Sequence, residues 1–120
     1  MHALIIEDEA LIAMRIEEVL TSYGFTSFDI AWSEEEAVRV AALRRPALIT
    51  ADGQLRPGSG IDAVNAICSH GSIPVIFITA TPAEVERRMP DQPLVVKPFS
   101  NEAIVSALNL ALSNSHQPRC

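Results

Sequence analysis

The feature that most constrains this chain is a repeated alternation, in which a short apolar or β-branched run is followed by a longer stretch with helical spacing, five times in succession. Ala3–Ile6 reads as the first strand. Leu11, Met14, Ile16, Val19 and Leu20 then supply the apolar stripe of a helix that ends near Gly24. Phe28–Ala31 is a weaker second strand. Ser33 before Glu34, Glu35 and Glu36 predicts a capped helix start, with acids at the positive end of the helix dipole and Glu36 placed for a capping box. Pro46 closes that helix, and Ala47–Ala51, apolar on both faces, has the pattern of a central parallel strand. Ile61–Cys68 predicts a third helix, Pro74–Ile78 a fourth strand, Pro82–Met89 a short helix with proline in its first turn, and Leu94–Val96 a fifth strand. Ser100 caps a last helix with Ile104, Val105, Leu108, Ala111 and Leu112 as its stripe. The expected domain covers residues 1–113, with 114–120 as a flexible tail.

Strands that alternate with helices imply an α/β fold: a doubly wound five-stranded parallel sheet between two helical layers, joined by right-handed crossovers. A chain of 120 residues with 48% hydrophobic and 20% charged residues suits one such domain. Ligands in this fold class bind beyond the carboxyl ends of the strands, which directs attention to the residues found there.

Charge and residue usage narrow the function. A formal charge of −6 argues against nucleic acid, since the only basic clusters are Arg44–Arg45 and Arg87–Arg88, both expected on solvated helix ends. Cys68 and Cys120 make no metal-ligand spacing and no disulfide framework; Cys68 reads as a packing residue. His2, His70 and His116 are scattered, against a zinc site. No apolar run approaches membrane-spanning length, and Glu7 interrupts the N-terminal apolar patch before it could act as a signal peptide, so a cytoplasmic protein without membrane insertion is expected.

Just past the strand ends stand Glu7 and Asp8, Asp52, Thr79 and Lys97. Three carboxylates at close range repel unless a counter-charge intervenes, and an oxygen-only set with open positions suits Mg²⁺. Lys97 adds a mobile positive charge and Thr79 a hydroxyl donor, completing the parts that phosphoryl transfer requires. Each residue also has a plainer reading. Asp8 or Glu9 could cap the first helix, Asp52 before Gly53 is ordinary turn chemistry, Thr79 is a common strand residue and Lys97 a common surface one. The combination favours a site, because unrelated causes would have to place all five at successive strand exits.

The segments "LIIEDE", "LITADGQL", "VIFITA" and "VVKPF" together resemble the receiver domain of two-component response regulators over essentially the whole chain. The resemblance implies a flavodoxin-like sheet of order 2-1-3-4-5. It implies Asp52 as the acceptor of a phosphoryl group from a phosphohistidine, Asp8 as a direct Mg²⁺ ligand, Glu7 as an acid acting through metal-bound water, and Gln54 as the donor of a backbone carbonyl to the metal. Thr79 matches the switch hydroxyl and Lys97 the lysine that pairs with the phosphoryl group. Leu94 stands where receivers usually carry Tyr or Phe, and Arg56, followed by Pro57, stands where a proline is common. With "GIDAV", these departures resemble the alphaproteobacterial FAT GUY receivers and the receiver half of general-stress-response regulators, although Ala80 and Thr81 replace that group's usual glycine and aromatic residue.

The expected function is therefore a stand-alone, Mg²⁺-dependent phospho-accepting regulator rather than an enzyme. A histidine kinase or histidine phosphotransferase would be its donor, and a protein partner would bind the face formed by the fourth helix, fifth strand and fifth helix, without DNA. The alternative is a phosphorylation-independent adaptor or phosphate sink of the same fold.

Overall fold

A computed structural model describes residues 1–113; the tail expected at 114–120, with Cys120, lies outside the described residues. Five strands and five helices alternate in the order β1 (His2–Ile6), α1 (Ala10–Tyr23), β2 (Ser27–Ala31), α2 (Glu34–Leu43), β3 (Leu48–Ala51), α3 (Gly60–Cys68), β4 (Val75–Thr79), α4 (Pro82–Arg88), β5 (Leu94–Val96) and α5 (Asn101–Ala111). All strand pairings are parallel, in the order β2-β1-β3-β4-β5.

The register puts the strand ends at one rim. Ile6 lies beside both Ala31 and Ala51, so Glu7 and Asp52 leave adjacent strands at the same level. Ala51 pairs with Phe77, so β4 runs further, to Thr79, which pairs with Val96 just before Lys97. Backbone ladders continue one step past the strands: Glu7 N–H donates to Ala31 O, Asp52 N–H to Ile6 O and Lys97 N–H to Thr79 O, each at 2.9 Å. Three chemistry-bearing residues thus have main chains held by the sheet.

Alternate strand residues feed two cores. Ala3, Ile5, Leu48, Ile76, Ile78 and Val95 pack under α1 and α5. Leu4, Ile6, Ile49, Ala51, Val75 and Phe77 face α2, α3 and α4. Each fully buried Ile or Leu contributes about 1.5–3 kcal/mol relative to exposure, which anchors the rim on both sides.

Caps follow the sequence in α2 and α5, where Ser33 and Ser100 accept from Glu36 N–H and Ala103 N–H at 3.1 Å. They do not in α1: Glu9 occupies the N-cap position but its side chain makes no cap bond, and Glu7 rather than Asp8 or Glu9 takes the Glu9 N–H. The α1 stripe also differs from expectation. Ala13, Ile16, Val19 and Leu20 are buried, whereas Leu11 and Met14 are 80% and 56% exposed. At about 100° per residue, positions 11 and 14 point away from the 13/16/20 face. Val105 of α5 is likewise displaced to the surface. Cys68 packs half-buried against the core that α2 and α3 cover.

The basic clusters are engaged as helix-end contacts: Arg44 donates to Ser27 Oγ, Arg45 to Gly71 O, Arg87 to Glu84 and Arg88 to Asp62. Among the described residues, no helix is long and apolar enough to cross a membrane.

Candidate functional site

At the rim, one carboxylate oxygen from each of Glu7, Asp8 and Asp52 lies within 4.8 Å of the others. Lys97 closes the group from β5, donating from Nζ to Glu7 Oε1 at 2.7 Å and to Asp52 Oδ2 at 3.0 Å. These two contacts join residues 90 and 45 positions apart in the chain.

Burial graduates the cluster. The Glu7 side chain is 1% exposed, those of Asp52 and Lys97 12% each. Burial pushes the Glu7 carboxyl above its ordinary value, a shift that the Lys97 amine and the Glu9 amide only partly offset. Burial works against the charged Lys97 amine too, but its hydrogen bonds to Glu7 and Asp52 prevail and hold it above its usual range. Lys97 is therefore a fixed internal counter-charge. The remaining set, carboxylate oxygens opening on solvent, is the kind that a hard divalent cation takes.

Asp52 serves two ends at once. Its Oδ1 accepts from Gln54 N–H at 3.1 Å, the turn contact that an aspartate before glycine often makes, while Oδ2 faces Lys97. The plainer reading of Asp52 is thus true of one oxygen and leaves the other for chemistry. Gly60 lets the following loop close: a Cβ there would fall 1.7 Å from the Asp52 carbonyl oxygen. Gly60 N–H donates to Gly53 O, Gln54 bridges to Ser59, and Ser59 N–H donates to Glu34 Oε1.

On the β4 side, Thr79 is fully buried and its Oγ1 accepts from Thr81 N–H at 3.2 Å and lies 3.3 Å from Thr81 Oγ1. A cleft of ≈ 120 Å³ joins the two sides, bordered by Asp8, Asp52, Gln54, Thr79 and Lys97. All the residues singled out at the strand exits therefore converge, with Glu7 beneath, reached through Lys97. Arg56, Ala80 and Thr81 also border the cleft; in the sequence they stood out only as departures from a pattern. Arg15 was not singled out at all. It donates to Phe99 O at 2.9 Å and stacks 4.5 Å from the Phe99 ring centroid, bracing the turn that follows Lys97. Nothing local in the sequence signals a contact across 84 positions.

This geometry coincides with a family match: residues 3–109 match the response regulator receiver domain. The chain belongs to that family. It is 42% identical over 113 residues to the phyllosphere-induced regulator PhyR of Methylorubrum extorquens, covering 91% of this chain and 42% of that protein. The solution structure of the Erythrobacter litoralis PhyR receiver domain superimposes with a TM-score of 0.84 at 37% identity, covering 99% of this chain and 95% of that one. A crystal structure of the anti-anti-sigma factor PhyR from Bartonella quintana matches at 43% identity and a TM-score of 0.78, over 92% of this chain and 46% of that one. The chain spans about half the length of the curated relatives it matches. It is a receiver domain related to stress-response regulators, with the flavodoxin-like sheet order expected of one.

Proposed function

We propose that this receiver accepts a phosphoryl group on Asp52 from a phosphohistidine, with Mg²⁺ held by Asp8, Asp52 and the Gln54 carbonyl and, through water, by Glu7. The observation that carries the reading is the divided Asp52 carboxylate, one oxygen fixed by Gln54 N–H and the other beside the Lys97 amine. The P–N bond of the donor breaks, a P–O bond to Asp52 forms, and the departing imidazole nitrogen keeps the electron pair and takes a proton from solvent. Lys97 releases one of its two carboxylate contacts to face a phosphoryl oxygen, and Thr79 exchanges Thr81 for another. Held by these residues, Mg²⁺ would supply positive charge against the negative charge that develops on the transferred group.

The exposed Met14 and Trp32 border Glu7 and Asp8, giving a phosphodonor protein an apolar seat beside the acids. Withdrawal of Thr79 from Thr81 would disturb the turn into α4, so the α4–β5–α5 face is the proposed output surface. The likeness to an anti-anti-sigma factor supports a downstream protein, in stress signalling, over nucleic acid.

Incubation with histidine kinases and labelled ATP tests the reading. Label enters the wild type and not Asp52→Ala; transfer that survived the substitution would remove Asp52 from its role. Equal binding of a downstream partner by both proteins would favour the phosphorylation-independent adaptor.

A further inference from the structure

Arg56 is exposed on the β3–α3 loop and borders the same cleft as Asp8, Asp52, Thr79 and Lys97. Arg15, Arg44, Arg45, Arg87 and Arg88 each have a carbonyl, hydroxyl or carboxylate partner, and Arg39 of α2, which has none among the described residues, does not border the cleft. Among the described residues, Arg56 makes no ion pair and no side-chain hydrogen bond, although three carboxylates lie at the floor of its cleft. Lys97 already occupies the inner position between Glu7 and Asp52.

The charge balance of the proposed reaction gives this arginine a task. Glu7, Asp8 and Asp52 carry three negative charges against the single positive charge of Lys97. A bound divalent cation cancels the difference among these four groups, while Glu9, which also borders the cleft, adds one carboxylate at its edge. Converting the Asp52 carboxylate to a dianionic acyl phosphate adds one negative charge at the mouth of the cleft, where Lys97 alone cannot balance it. A planar guanidinium with paired donors fits phosphoryl oxygens, and the loop that carries it begins at the phosphorylated residue itself.

We propose that Arg56 is a second phosphoryl-contacting cation of this site, which leaves the resting acids to Lys97 and engages the outer phosphoryl oxygens once Asp52 is modified. The inference rests on the phospho-acceptor reading above.

Two titrations of the full chain test it, one with Mg²⁺ alone and one with beryllofluoride, a phosphoryl mimic, at saturating Mg²⁺. In Arg56→Ala, beryllofluoride affinity falls about fivefold, the scale of one solvent-accessible charge-assisted contact. Mg²⁺ affinity moves the other way, rising about twofold as a nearby positive charge is lost. Arg56→Lys retains most of both values. The opposite signs separate a charge role from loop distortion, which would weaken both ligands together. Unchanged affinities, or two losses, with normal wild-type binding would overturn this inference alone. A wild type that takes no beryllofluoride would overturn the phospho-acceptor reading and this inference with it.

Discussion

The two loops that flank the cleft are built differently. The β3–α3 loop is tied at almost every turn: Asp52 holds Gln54, Gly60 holds Gly53, Leu55 N–H donates to Gly58 O, and Glu34 of α2 reaches across to Ser59. Ser59 also caps α3, accepting from Ile61 N–H and Asp62 N–H. Among the described residues, the side-chain bonds within the β4–α4 connection are those of Thr79 and Thr81, Thr81 makes no cap bond, and α4 is seven residues long, with Val85 as its one buried residue and Arg88 tied to Asp62 of α3. The loop after Asp52 is tightly tied, while the turn after Thr79 is lightly held. Local stability differs accordingly, since segments with few buried contacts open at low free-energy cost.

The sharpest way to break this contrast is Gly60→Ala. Its methyl would overlap the backbone of Asp52, so the loop must rearrange; a loss of about 3 kcal/mol in urea unfolding, with loss of Mg²⁺ binding, is expected. The caps give a matched pair. Ser59→Ala should cost about 1 kcal/mol, whereas Thr81→Ala, which removes no cap, should stay within about 0.5 kcal/mol while raising amide exchange from Thr79 into α4. Equal costs would show that the two loops are not held differently.

Next in size are the changes in amide chemical shift on adding beryllofluoride and Mg²⁺. They should be large in the Thr79–Pro82 turn and α4, with Leu94 in place of an aromatic relay, and small in α3; a silent α4 would sink that route.

The smallest effect concerns pH. Because the folded-state pKa of Glu7 is raised, the native chain binds a proton more tightly there than the unfolded chain does. Its contribution favours folding below the ordinary value of 4.5 and is lost as pH rises through the raised value. Stability measured across that window should fall less steeply in Glu7→Gln than in the wild type.

Much of this contrast was legible in the amino-acid sequence. The buried strands announced themselves as continuous apolar runs, and their register made Glu7, Asp52, Thr79 and Lys97 neighbours without any further signal. Ser33 and Ser100 cap as their spacing implied. Leu11 and Met14 were misread because hydrophobicity marks a residue as able to be buried without saying which side of the helix the sheet will cover. The braces, Arg15 on Phe99 and Glu34 on Ser59, were invisible for another reason: each is an ordinary surface residue type whose partner is supplied only by the tertiary fold. Gly53 and Gly60 both lie in the β3–α3 loop region, and the demand at each is space rather than a left-handed backbone.

At Gly53 that demand comes from α4 itself. A Cβ there would sit 3.0 Å from Val85 Cγ2, so the helix rests its one buried side chain on the peptide that follows Asp52. The arrangement works as a lever with a very short arm. A shift of the Asp52–Gly53 backbone would be felt first at Val85 Cγ2, and a side chain at position 53 would press on the same atom.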